Sequence, residues 1–175
     1  IPLRDKKPSY RMLFVDEEWM RSLAIDVTQG KDDLPDFSKV VVRAPVAWSL
    51  LFGLTELVRF GRDKLEMETV MFSAFARLID RFGGTPAAPR DPGDEPGAVS
   101  IARDMLSENL TEKLSLEELA QTAGLSRYHL IRVFKKATGH SPHAYRTQRR
   151  IDRAKILLLR GNTPAQVALD TGFTD

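Results

Sequence analysis

The amino-acid sequence predicts a mainly α fold: two helix-turn-helix units joined by a long helix, preceded by a short strand and a helical hairpin. Three observations predict it. First, Leu116 to Phe134 reads as a complete helix-turn-helix, in which Ala120, Gly124, Leu125 and Ser126 set out a small residue, a glycine, a large apolar residue and a hydroxyl. Alanine lets two helices approach, glycine takes a left-handed turn without a Cβ penalty, leucine plugs the corner and serine caps the next helix. Second, the pattern recurs 48 residues later as Ala168, Gly172, Phe173 and Thr174, with Leu119 and Val167 in step. Third, apolar residues at three and four spacing fill most other segments, bounded by capping residues, proline or glycine.

Taken in order, Tyr10 to Val15 (YRMLFV) is short, β-branched and aromatic and reads as the strand, its partners expected before Ile1. Asp16 caps a helix carrying Trp19, Met20 and Leu23 that ends near Gly30. Lys31 to Asp36 reads as loop, and Phe37 to Val42 as extended or irregular. Pro45 opens a helix of Val46, Leu50, Leu51, Leu54, Leu57 and Val58 that Gly61 breaks. Asp63 with Glu66 resembles a capping box; the helix it opens runs through Val70, Met71, Phe75, Leu78, Ile79 and Phe82 to Gly83-Gly84. This hairpin, 45–60 and 63–82, is apolar on more than one flank. It needs a partner, either an earlier part of the protein or another subunit.

Thr85 to Ala98 is dense in proline, glycine and acid and reads as a flexible linker between units 1–84 and 99–175, leaving them to be placed independently. Beyond it, Ile101, Met105 and Leu106 mark a first helix, and Ser115 with Glu118 forms a capping box for a second, Leu116 to Ala123. Ser126 caps a third that runs to Gly139. Ser141-Pro142 opens a long fourth through Tyr145, Ile151, Ala154, Ile156, Leu157 and Leu158, stopping at Gly161, and Thr163-Pro164 starts the next. The sequence starts at Ile1 rather than methionine and stops at Asp175, where the second recognition helix should begin, so it reads as a fragment.

Composition narrows the function classes. A chain of 175 residues suits one or two domains with real cores, and no apolar run is long enough to span a bilayer. With no cysteine there is no disulfide framework, cysteine–zinc site or thiol nucleophile, which fits a reducing cytoplasm. The net charge of +2 hides an asymmetry: residues 1–98 hold 14 basic against 16 acidic residues, and 99–175 hold 12 against 8. Within 125–160 ten basic residues face Asp152 alone, and all three histidines lie there. A basic run is ordinarily a solvated face; here it sits on and behind a predicted recognition helix, which points to DNA. His140 and His143 are three apart, but Pro142 starts a helix between them and no third ligand is near, so no metal is expected. Glu17-Glu18 and Glu66/Glu68 read as helix N-terminal charge, and neither a catalytic residue nor a cofactor is expected.

On the reading helix, Leu130, Val133, Phe134 and Ala137 share the core flank, which leaves Arg127, Tyr128, Ile131, Arg132, Lys135 and Lys136 outward. Arg132 is the candidate base reader, since its guanidinium matches guanine O6 and N7; the bland alternative is a phosphate clamp. Tyr128 and Ile131 could meet thymine methyls, Lys135 and Lys136 phosphates. Ser126 combines a cap with a phosphate contact at the helix N-terminus. Arg146, Arg149, Arg150, Thr163 and Thr174 complete the candidate DNA-binding set.

With the tandem pattern, the spacer helix and the run SRYHLIRVFKKATGHSPHAYRTQRRIDRAKILLL, residues 99–175 resemble the DNA-binding domain of the AraC/XylS family of bacterial transcription regulators. Residues 10–82 resemble, less specifically, the end of that family's N-terminal arm, a last jelly-roll strand and the helices used for dimerisation. The resemblance implies seven helices in two units that read successive major grooves on one face of double-stranded DNA. It places Tyr128, Ile131 and Arg132 at base-contacting positions, although the family often has a polar residue where this chain has Ile131. It also implies a small-molecule effector held in the truncated jelly-roll part and a homodimer, its dimerisation helices carrying Leu50, Leu54, Leu57, Val70 and Phe75 toward either the core or the partner. RNA polymerase would be a partner of an activator, and the setting would be the cytoplasm at the nucleoid. Two other readings stand beside it. One is an architectural DNA binder without sequence preference, whose affinity would fall with salt alike for all sequences. The other is the DNA-binding module of an alkylation-repair enzyme with a reactive cysteine, against which the absence of cysteine counts.

Overall fold

The computed structural model describes residues 12–28, 35–37, 45–60, 63–83 and 93–173, without the side chains of 46, 47, 50 and 60. Among the described residues the helices are α1 (Glu17–Thr28), α2 (Pro45–Phe60), α3 (Lys64–Phe82), α4 (Pro96–Glu108), α5 (Leu116–Thr122), α6 (Arg127–Thr138), α7 (Pro142–Leu159) and α8 (Pro164–Thr171). No strand occurs among them. The described part of the predicted strand, Met12 to Val15, is irregular, with Phe14 90% exposed, and no second strand occurs among the described residues to pair with it. Tyr10, Arg11, Gly30, residues 38–42, Gly61, Gly84 and 85–92 lie outside the described residues.

The predicted caps set the helix starts. The Asp16 carboxylate accepts the Trp19 N–H at 2.9 Å, and Asp63 accepts those of Leu65 and Glu66 at 3.0 and 3.4 Å. At α5 the capping box is reciprocal: Ser115 Oγ accepts the Glu118 N–H at 3.1 Å, while the Ser115 N–H donates to Glu118 Oε2 at 2.8 Å. Bonds from the Ser115 hydroxyl and then its backbone hold the Glu118 carboxyl below its usual range. Ser126, Ser141 and Thr163 cap α6, α7 and α8, each side-chain oxygen accepting one backbone N–H, of His129, Ala144 and Gln166 in turn. Each such cap contributes about 0.5–2 kcal/mol.

Helices α1 and α2 lie on α3, which in turn lies on α5, α6 and α7; α1 also reaches α6. Leu23, Leu65, Phe72 and Ile79 share one buried cluster with Leu106, Leu116, Leu119, Leu130 and Phe134. Trp19 sets its edge against Phe72 and Phe75, with ring centroids 5.4 and 5.3 Å apart. The hairpin's second apolar flank therefore finds its partner in the helix-turn-helix of the same chain, and the helices on either side of 85–92 share a core. Of the residues expected toward core or dimer partner, Leu54 and Phe75 are core residues rather than dimer contacts, since α2 and α1 pack on α3 within the monomer. Leu57 and Val70 are half-buried, and the Leu50 side chain lies outside the described ones. Trp48, Phe52 and Val58 remain exposed on α2.

Candidate nucleic-acid interface

The two turns share one local geometry. Leu125 N–H donates to the Ala120 carbonyl at 3.0 Å and Gly124 N–H to that of Gln121 at 3.0 Å; 48 residues on, Phe173 donates to Ala168 at 2.9 Å and Gly172 to Leu169 at 3.3 Å. Gly124 has φ +68° and Gly172 φ +76°, the left-handed region that a side chain disfavours. Leu125 packs against the core and Val167 is buried beneath the second turn. Thr163 is exposed at the start of α8, and Thr174 lies outside the described residues.

Helix α6 carries the predicted reading face, rotated from the expected one. Leu130, Val133 and Phe134 are buried, but so is Ile131 at 6% exposure, while Ala137 is exposed. Ile131 is thereby corrected from a base contact to a core residue: α1 and α3 lie against α6, and its apolar side chain joins the cluster they form. Arg127 is held from three directions. Its guanidinium lies 3.0 Å from Glu117, donates to Ser22 Oγ at 2.9 Å and stands 4.6 Å over the Phe72 ring. Asp26 of α1 faces the start of α6 across a small cleft that Ser126, Tyr128, His129 and Arg132 also line. Burial pushes the Asp26 carboxyl up, against the pull of Arg127 and of the nearby Tyr128 N–H and Ser126 hydroxyl.

Burial likewise pushes the Tyr128 phenol up, opposed by the nearby Arg132. Half-buried Arg132 lies 5.6 Å from the Tyr128 ring centroid. Lys135 and Lys136 are exposed near the C-terminal end, and Lys136 lies 2.9 Å from Asp94. Cationic groups and one aromatic edge on a single helix can meet phosphate oxygens and the edges of bases.

The three arginines of α7 part ways. Arg149 is exposed, 2.8 Å from Asp152 and 5.3 Å over the Tyr145 ring. Arg146 is 1% exposed: its Nε and Nη2 donate to the Asn109 carbonyl at 3.0 and 2.6 Å, and Nη2 also donates to the Glu112 carbonyl. Arg150 donates to the Leu110 carbonyl at 2.7 Å and to Asp63 at 3.0 Å. Arg146 and Arg150, expected among the DNA contacts, are corrected to internal donors: carbonyls with no helix partner before α5, and the carboxylate capping α3, take up their guanidiniums. Burial, and then Arg150, lowers the Arg146 pKa, against Asp63 and Glu112.

On the same seam His143 Nε2 lies 3.5 Å from Glu66, and Glu68 Oε2 accepts the Leu116 N–H at 2.7 Å. The sequence carries no signal for these contacts: Asp63 and Arg150 are 87 residues apart, Glu68 and Leu116 48. Among the described residues no cluster of His, Asp and Glu is placed to hold a metal, and no helix is long and apolar enough to cross a membrane.

Residues 119–175 match a family model described as a helix-turn-helix domain. The HTH-type transcriptional regulator YbfI of Bacillus subtilis (strain 168) is 30% identical over 168 residues, covering 95% of this chain and 60% of that protein. The HTH-type transcriptional activator Btr of the same organism is 32% identical over 112 residues, 63% of this chain and 19% of that protein. The multiple antibiotic resistance protein MarA of Escherichia coli (strain K12) is 39% identical over 61 residues, 35% of this chain and 48% of that protein. The chain thus spans no more than 60% of the length of these three relatives. No solved structure matches it. By its repeated turn, its long connecting helix and these likenesses, the chain carries a helix-turn-helix domain over residues 119–175 and is similar to transcription regulators of the AraC/XylS type.

Proposed function

We propose that this chain is part of a sequence-specific DNA-binding transcription regulator in which α6 reads one major groove and a second recognition helix, starting near Thr174, reads the next. The observation that carries this reading is the turn repeated at 48 residues with the same bonds and the same left-handed glycine. Spacing supports it. The connecting α7 has 18 residues, about 27 Å at 1.5 Å per residue, on the scale of the ~34 Å between grooves on one DNA face. Arg132 is the base reader, with Tyr128 beside it, and Ser126, Arg127, Lys135, Lys136, Arg149, Thr163 and Thr174 serve phosphates.

Regulation by a small-molecule effector in a jelly-roll part, of which 1–84 is the C-terminal portion, belongs to the same reading. So do a homodimer, RNA polymerase as partner of an activator, and action at the nucleoid in the cytoplasm. Likeness to a transcriptional regulator and a transcriptional activator supports the regulatory role.

Selection from randomised duplex DNA with the full-length protein tests the reading. Enrichment of a motif with two half-elements about one helical turn apart is expected. If no sequence is enriched and affinity falls with salt equally for all DNA, the protein is a general phosphate binder and the reading fails.

A further inference from the structure

A recognition helix offers the residues of its N-terminal half to base edges. In this chain that half of α6 is covered. Ser22 of α1 and Phe72 of α3 hold Arg127 together with Glu117, and Ile131, one turn further along a helix on which α1 and α3 both pack, is 6% exposed. Ile25 and Asp26 of α1 stand across a small cleft from Ser126, Tyr128, His129 and Arg132. Asp26 thus puts a carboxylate beside Ser126 and Tyr128 at the start of α6, where a helix N-terminus would otherwise receive a phosphate. Size decides the consequence. A helix with its side chains is about 10–12 Å across and the major groove about 12 Å wide, so the groove admits α6 but not α6 with α1 alongside.

We infer that α1, backed by α3, is an autoinhibitory clamp on the recognition helix, its Asp26 carboxylate standing where a DNA phosphate would bind, and that duplex DNA is read only once the clamp has left α6. The inference rests on α6 being a DNA reader. Duplex and α1 then compete for one surface, and apparent DNA affinity is reduced by the fraction of molecules in which α6 is open. Helix α1 is joined to α3 through Trp19, Phe72 and Phe75, so a rearrangement that shifts α3 also shifts the strap over α6.

A tether tests this directly. Ser22 and Glu117 both bond the Arg127 guanidinium, which brings their side chains within reach of a short bismaleimide, and the chain has no cysteine of its own. In Ser22→Cys/Glu117→Cys, cross-linking should weaken binding to the duplex selected by the full-length protein by at least about tenfold. The comparison is the same variant capped on both cysteines with N-ethylmaleimide, which adds bulk but no tether. Cross-linked and capped protein binding within about twofold of each other would overturn the clamp while leaving DNA reading intact. If capped protein prefers no sequence, DNA reading itself fails and the clamp with it. Amide exchange of the unaltered chain gives a second readout that requires no substitution. Adding the selected duplex should speed exchange in 17–28, and unchanged or slower exchange there overturns the proposal.

Discussion

Arg132 and Arg146 belong to one basic run, yet their surroundings give them opposite work. Arg132 sits half-buried on α6 beside Tyr128, with a guanidinium suited to bidentate contact with guanine. Arg132→Ala should cost about 1–3 kcal/mol on the selected duplex and relax discrimination at one base pair. Equal losses on selected and random DNA would make it a phosphate contact instead. Arg146 is 1% exposed and its fork satisfies two backbone carbonyls, of Asn109 and Glu112, with Asp63 at 3.7 Å. Arg146→Met strands those acceptors, while Asp63 keeps Arg150 at 3.0 Å, so it should lower unfolding stability by about 1–3 kcal/mol. Arg146→Lys should recover little, since an ammonium cannot span the same acceptors. Urea titration of both variants measures this, and an unmoved midpoint in Arg146→Met would remove the arginine from the framework of the fold.

At the scale of the element, whatever is local was legible. The capping box at Ser115, the Ser126, Ser141 and Thr163 caps and the two glycine turns all stand where the residues predict them, because each is decided within five residues. The facing of α6 was not legible. Periodicity defines an apolar stripe but not its neighbours: with α1 and α3 also packed on α6, Ile131 is buried while Ala137 stays exposed. Met12 to Val15 shows the converse: a β-prone stretch forms no strand, and no second strand occurs among the described residues to pair with it.

The two turns also differ in a way their shared pattern conceals. A Cβ at Gly124 meets nothing within 4 Å, so Gly124→Ala costs only the left-handed backbone, about 1–2 kcal/mol. At Gly172 a Cβ would also stand 2.7 Å from the Leu110 carbonyl oxygen, at nearly the same φ. Gly172→Ala should therefore lower the melting temperature more than Gly124→Ala. Equal losses would mean that the segment around Leu110 yields without cost.

Across the whole molecule, the N-terminal helices and the helix-turn-helix are joined through charged side chains that no sequence pattern foretold. His143 of α7 lies at the centre of that seam, facing Asp63 and Glu66 from α3, with Arg146 and Arg150 beside it on its own helix. Burial lowers its pKa from the ordinary 6.5, outweighing Glu66 and Asp63, while Arg150 and Arg146 add to the lowering. Below 6.5 the unfolded chain takes up a proton that the folded chain still refuses, so protonation favours unfolding. The stability associated with neutral His143 is thus fully present above that pH and is lost as pH falls toward the lower folded value. Urea midpoints should be lower at about pH 5.5 than at about pH 7.5, a window above the ordinary titration of carboxylates. His143→Gln removes the titrating group from the seam and should flatten that difference. A variant that keeps the full pH dependence would place the proton uptake elsewhere and make His143 a bystander in the joining of the two halves.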